Sequence, residues 1–176
     1  MPTIPMPDAA TLAACTKPLW YLTHDGDKTI LDLYERHYSA YHYADGRHRY
    51  QFVGPGEKVV LRTNHGDAGW AWRKFIDDSG QEGVNCAFFR NESPHTSSEL
   101  VRQADAIADR IWPDCRHYTY VDPQKTRRKR DPGRCFIRAG WRRCGMTKGG
   151  LVILERIQKN LENKADFGNS RLSAIV

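Results

Sequence analysis

Three short stretches of this sequence have residue types suited to chemistry: Ser93-Pro94-His95-Thr96-Ser97-Ser98, Asp122 directly before Pro123, and His37-Tyr38-Ser39. A Ser/Thr-rich segment that opens a helix presents unpaired backbone N–H groups and a partial positive charge. Such a helix start holds a phosphate without any special side chain, and Ser97 and Ser98 add small hydroxyl donors. A carboxylate such as Asp122 at a strand end can orient an amine or relay its proton, because an attacking amine must be neutral. Imidazole titrates near neutral pH, so His37 is a candidate base, and Tyr38 can shape an acceptor pocket or supply a hydroxyl. Each stretch also has a plainer reading. Thr96 and Glu99 can form a capping box, Asp122-Pro123 can start a turn, and a histidine among rings can fill a core.

These groups need elements to position them. Leu19–Leu22 reads as a first strand. Thr29 with Asp32 resembles a capping box, and Ile30, Leu33, Tyr34, Tyr38 and Tyr41 follow at helical spacing with His37 on the same face. Asp45-Gly46 and Gly54-Pro55-Gly56 make residues 44–57 an irregular connection. Strands are expected over Lys58–Thr63, Gly69–Phe75 and Val84–Arg90. The helix opened by Thr96 carries the apolar stripe Leu100, Ala104, Ile107, Ala108, Ile111 and stops at Trp112-Pro113. After a strand over 117–122, Asp131 is placed to cap a helix beginning at Pro132, with Gly140 just past its end. Trp141–Cys144 and Leu151–Arg156 close the order as two strands. Helix-start amides then lie beside one strand's end and a carboxylate ends the next, which favours an enzyme over a passive binding module.

The chain of 176 residues, 40% apolar and 27% charged, reads as one globular domain over 17–160 with a Pro/Ala-rich lead-in at 1–16 and a polar tail at 161–176. No apolar run approaches the roughly 20 residues of a membrane helix, and the first sixteen residues do not read as a secretory signal, so a cytoplasmic location is expected. The five cysteines form no C-x-x-C pair and read as free thiols. The seven histidines show no zinc spacing, so no metal is expected. The net charge of +6 is concentrated between Lys125 and Arg143. Lys125, Arg127, Arg128, Lys129 and Arg130 read as a contact for a polyanion, either nucleic acid or a cofactor's phosphates, or else as a solvated basic face.

The order strand, helix, irregular segment, three strands, helix, strand, helix, two strands resembles the GNAT superfamily of coenzyme A-dependent N-acyltransferases, most firmly from Asn91 to Gly145. Cys135-Phe136-Ile137-Arg138-Ala139-Gly140-Trp141 resembles the helix-to-strand junction of those enzymes. More narrowly, His37-Tyr38-Ser39, Asn91 with Ser97-Ser98, Thr119-Tyr120-Val121-Asp122 and Ala139-Gly140-Trp141 are similar to phage Mom-like DNA-modification acyltransferases. Related phage proteins are associated with acylating hypermodified thymines. Two departures stand out. The glycine-rich pyrophosphate loop usual in the superfamily is absent, with the segment leading to Thr96-Ser97-Ser98 in its place. Phe136 stands where many relatives carry a tyrosine that protonates the leaving thiolate, and phenylalanine has no proton to give.

The resemblance implies an α/β GNAT fold: one mixed, mostly antiparallel sheet of about seven strands, helices on both faces and a splayed central pair. It further implies acetyl-CoA as co-substrate, held by Asn91, Ser93, Thr96, Ser97, Ser98 and Phe136, and catalysis by Asp122, His37 and Tyr38. The expected acceptor is the amine of 5-aminomethyl-2'-deoxyuridine in DNA bound by the basic segment, with Trp70, Trp72, Tyr41 and Tyr43 available to stack on an extruded base. The alternatives are a protein or small-molecule amine, a Mom-like adenine modification, or a DNA-binding protein without activity.

Overall fold

The computed structural model describes residues 17–76, 80–126 and 131–158. Seven strands form one sheet: β1 (Tyr21–Thr23), β2 (Glu57–Arg62), β3 (Ala68–Lys74), β4 (Val84–Asn91), β5 (His117–Val121), β6 (Arg142–Met146) and β7 (Val152–Arg156). Their order across the sheet is β1-β2-β3-β4-β5-β7-β6. Every pairing is antiparallel except β4 with β5.

Side-chain alternation along β2 and β3 separates two cores, one on each face. On one face Val59, Leu61, Trp70 and Trp72 pack under α2 (Ser97–Ile111) with Leu100, Ala104 and Ala108. On the other, Val60, Ala71 and Phe88 meet Ile30, Leu33 and Tyr34 of α1 (Lys28–Glu35). Helices thus cover both faces, as expected. Trp70 and Trp72 are fully buried, so neither can stack on a base. The alternate tryptophans serve the core.

Helix boundaries depart from expectation in instructive ways. Asp27, not Thr29, caps α1, its Oδ1 accepting from the Thr29 N–H at 2.8 Å. α1 also ends at Glu35 instead of running on to Tyr41. The His37 N–H bonds back to the Tyr34 carbonyl at 2.8 Å, which tightens the chain into a three-residue step and ends the four-residue ladder. His37 and Tyr38 therefore sit in a turn. A short α3 (Arg134–Arg138) starts from Gly133, not from an Asp131 cap with Pro132 inside the helix. Gly133 has φ of 79°, and a Cβ there would run into Leu154 Cδ1. Gly140 lies just beyond α3 with φ of 97°, as its position predicts.

α2 binds to elements on both sides of the sheet's centre. Trp20 Nε1 donates to the Leu100 carbonyl at 2.8 Å and Trp72 Nε1 to the Ala104 carbonyl at 3.1 Å. Toward β5 and β7, Asp105 bonds His117 Nδ1 at 2.8 Å and accepts from Trp141 Nε1 at 2.8 Å. Asp109 takes both arms of Arg156 at 2.9 Å. Cys86, Cys115, Cys135 and Cys144 form no disulfide among the described residues, and Cys15 lies outside them.

Candidate active site

The site begins where the sheet comes apart. β4 and β5 pair only at Val84–His117 and Asn85–Tyr118. At that point Thr119 Oγ1 donates to the Cys86 carbonyl at 3.0 Å, replacing a backbone rung with a side chain. The register between β3 and β4 shifts in the same place: Ala71 faces Phe88 and Trp72 faces Cys86, so Ala87 is an extra residue. Such a bulge bends the strand and sharpens its twist. Beyond it β4 and β5 no longer pair with each other, and a cleft of about 890 Å³ opens between them. That is at the upper end of the roughly 300–1,000 Å³ typical of small-molecule sites.

One end of the cleft is the start of α2. Thr96 stands at the N-cap with its side chain making no capping hydrogen bond, so the expected box with Glu99 does not form. By position, the first amides of the helix, at Ser97 and Ser98, have no acceptor within it. Asn91 organises the approach to this helix in place of a glycine-rich loop. Its Oδ1 accepts from the Ser93 N–H at 2.9 Å and from Ser93 Oγ at 2.6 Å. Its Nδ2 donates to the His95 carbonyl at 2.8 Å and to Ser97 Oγ at 3.0 Å. Because Ser97 Oγ accepts from Asn91, its own proton is available for an acceptor in the cleft. Asn91, Thr96, Ser97 and Ser98 line the cleft, whereas Ser93 is spent on Asn91 and lies behind it.

Asp122, Tyr38 and His37 also line the cleft, Tyr38 lying in contact both with His37 and with the Asp122 backbone. Asp122 Oδ1 accepts from the N–H groups of Gln124 at 2.9 Å and Lys125 at 3.2 Å, the turn geometry that its Asp-Pro context predicts. Tyr38 hydrogen-bonds to the Asp122 backbone, while Lys125 Nζ donates to the Tyr38 carbonyl at 3.3 Å. The turn after α1 thereby crosses the mouth of the fork and meets the end of β5. Burial is the main influence raising the Tyr38 phenol above its ordinary range.

His37 stacks against Tyr38 with ring centres 4.3 Å apart and meets the edge of Phe88 at 5.3 Å. Its Nδ1 lies 2.7 Å from Ser39 Oγ and 3.3 Å from the Ser39 N–H. An N–H can only donate, so Nδ1 is the accepting nitrogen and the ring proton sits on Nε2. Burial first, and then the nearby Arg90 cation, pull its pKa down to about 4. The imidazole is neutral at pH 7.

Phe136 also forms part of the lining, packed against Trp141 at 4.9 Å and Phe89 at 6.0 Å. Arg90, Arg134 and Arg138 add positive charge to the walls. Glu92 does not face the cleft. Ion pairs with Arg36 at 2.9 Å and Arg90 at 2.6 Å hold its carboxyl at about 2. Lys125 lines the cleft, but Arg127, Arg128, Lys129 and Arg130 lie outside the described residues.

Sequence reasoning quoted Thr119 only within the resemblance and gave no role to it or to Cys86, which together set the fork, nor to the buried Asp105–His117 pair behind it. A threonine amid aromatic strand residues was a visible hint of the first. Asp105 and Asp109, four residues apart on an otherwise apolar helix face, hinted at the second.

Among the described residues no helix is long and apolar enough to cross a membrane. No family model matches the chain, and no curated protein matches it. Among solved structures it is similar to the GNAT domain of S. lividans PAT, with a TM-score of 0.55 and 20% identity over 79% of this chain and 89% of that one. With its bulged β4, its forked β4–β5 pair and a helix starting at the fork, the chain has the GNAT fold.

Proposed function

We propose that this protein is an acetyl-CoA-dependent N-acetyltransferase of phage type, acting on the amine of 5-aminomethyl-2'-deoxyuridine in DNA. One observation carries the enzymatic part: a single cleft, opened where β4 and β5 part, is lined both by the start of α2 and by Asp122. The GNAT fold supports the same reading. The aminomethylated base rests on the resemblance to Mom-like proteins and on the basic segment beginning at Lys125.

In this reading the pyrophosphate lies against the Ser97 and Ser98 amides, where the helix dipole and the Ser97 hydroxyl favour negative charge. Phe136 packs beside the pantetheine arm. The neutral amine attacks the thioester carbonyl, whose developing oxyanion meets an unpaired N–H of β4 near Phe89–Asn91. A C–N bond forms and the C–S bond breaks. The excess proton passes to Asp122, directly or through water, with neutral His37 able to relay it. Phe136 gives no proton to the sulfur, so coenzyme A leaves as thiolate, which the acidity of a thiol permits.

Incubation of the protein with acetyl-CoA and aminomethylated DNA, followed by mass spectrometry of the released nucleosides, tests this directly. One added acetyl group on the modified nucleoside is the expected result. Acetyl transfer to free amines but never to DNA would reject the acceptor, and no transfer to any amine would reject the activity.

A further inference from the structure

We infer that the segment Tyr38–Tyr50, between α1 and β2, is a stacking surface for unpaired nucleobases of the DNA strand that delivers the acceptor. The inference rests on the DNA reading above for the identity of the polymer; the stacking role follows from the surface itself. Tyr41 and Tyr50 are exposed by 62% and 83%, unusual for large rings with no strand or helix over them. They do not belong to a loose coil. Tyr43 is the half-buried centre of the patch, its ring edge-on to Tyr41 at 5.4 Å. The Arg47 and Arg49 guanidinium groups lie 4.2 and 4.9 Å from the Tyr43 ring centre.

The patch is tied to the body at several points. Arg49 Nη2 donates to the Tyr41 carbonyl at 3.1 Å, and the Tyr41 N–H bonds Tyr34 Oη at 3.2 Å. Beyond the patch, buried Asp25 accepts from the Phe52 and Val53 N–H groups, each at 2.9 Å. Tyr41 and Tyr43, held in place in this way, lose little freedom when a flat partner lands on them.

Position and charge select the partner. Tyr41 is two residues past Ser39, which lines the cleft, so their Cα atoms lie within about 8 Å. Two arginines against the single Asp45 leave the patch cationic, suiting a strand with phosphates between its bases. Base-on-tyrosine stacking needs no particular base, because every base has a π-face. A paired base hides that face in its own helix, so the surface takes single-stranded or extruded nucleotides rather than intact duplex.

The test measures fluorescence anisotropy of the full chain with a labelled oligothymidylate, an abasic strand of equal length and a duplex of equal length. Oligothymidylate should bind tighter than the other two. The double substitution Tyr41→Ala/Tyr50→Ala should weaken oligothymidylate binding about ten-fold or more while barely changing the abasic strand. Tyr41→Phe/Tyr50→Phe, which keeps the rings, should restore binding. Equal affinity for thymidylate and abasic strands, equal losses on both, or no binding would each overturn the proposal. Acetyl-CoA binding by calorimetry on the same protein separates the two ideas. Its absence counts against acetyl transfer and leaves the stacking surface standing, while its presence without oligonucleotide binding does the reverse.

Discussion

Thr119 Oγ1 donates to the Cys86 carbonyl at 3.0 Å at the last point where β4 and β5 still touch, and both residues are buried. This one side-chain bond caps the paired part of the fork and fixes where the cleft begins. Thr119→Val keeps the shape and removes the donor, leaving a buried carbonyl unmet. Stability should fall by about 1–3 kcal/mol, and Thr119→Ser should recover most of it. Urea unfolding of the three proteins measures the difference; an unchanged midpoint for the valine variant would mean that the bond adds nothing to stability.

Asn91 gives the α2 approach its shape, and Ser97 lies at the point where a pyrophosphate would rest. Ser97→Glu places a negative charge at that point and should raise the dissociation constant for acetyl-CoA at least ten-fold, about 1.4 kcal/mol. Asn91→Ala should weaken binding more modestly, roughly three- to ten-fold, because the amides remain but the loop loses its brace. Calorimetric titration reads both. Normal affinity in the glutamate variant means that the cofactor lies elsewhere.

Asp122 Oδ1 already serves the turn at Gln124 and Lys125, so substitution has two separable effects. Asp122→Asn preserves an oxygen for the turn and removes the charge. Turnover should fall about 10²-fold or more, in line with the loss of a general base, while acetyl-CoA affinity changes little. Steady-state rates at saturating cofactor decide it, and an unimpaired kcat would confine Asp122 to the turn.

The His37 pKa, lowered from 6.5 to about 4, makes stability depend on pH with a definite sign. Between these values the unfolded chain binds a proton that the folded one refuses. Stability is therefore complete above pH 6.5 and is lost as pH falls, by on the order of 2–3 kcal/mol on reaching pH 4. Denaturation midpoints at pH 7 and pH 4.5 should differ less in His37→Gln than in the parent. Parallel pH profiles would show that the acid sensitivity lies elsewhere.

For the basic segment the expectation concerns salt. Reversing charge at Arg127, Arg128 and Arg130 should weaken binding to DNA and flatten the dependence of log affinity on log salt, by roughly one unit of slope for each phosphate no longer neutralised. Titrations at several salt concentrations measure the slope, and a slope equal to the parent's would assign those cations to another partner.

The strands were readable because apolar and β-branched residues cluster between clear turn signals. All seven appear, displaced by no more than two residues. The end of α1 was not readable. Tyr38 and Tyr41 keep a helical spacing, yet the chain has left the helix at Glu35 for a turn, and Tyr41 is exposed to solvent instead of joining the core. Capping patterns misled for a related reason: Thr29 and Thr96 look like cap residues, but Asp27 does the first job and Thr96 leaves its helix start open. Bulge and fork leave little local trace, since an unpaired strand edge differs from a paired one only in its neighbour across the sheet. The resemblance supplied the fork, and with it the expectation that Asp122, His37 and Tyr38 share a site, but not the bulge.

A break at the centre of a sheet has an aftermath different from one at its rim. Where β4 and β5 part, their edges would be a template for strand addition if they faced outward. Here Tyr38 and Lys125 cross from the turn after α1 to the end of β5, and Ser97 and Ser98 at the start of α2 line the gap as well. The sheet's break thus gives onto a lined cleft, the place where the proposed reading seats a thioester.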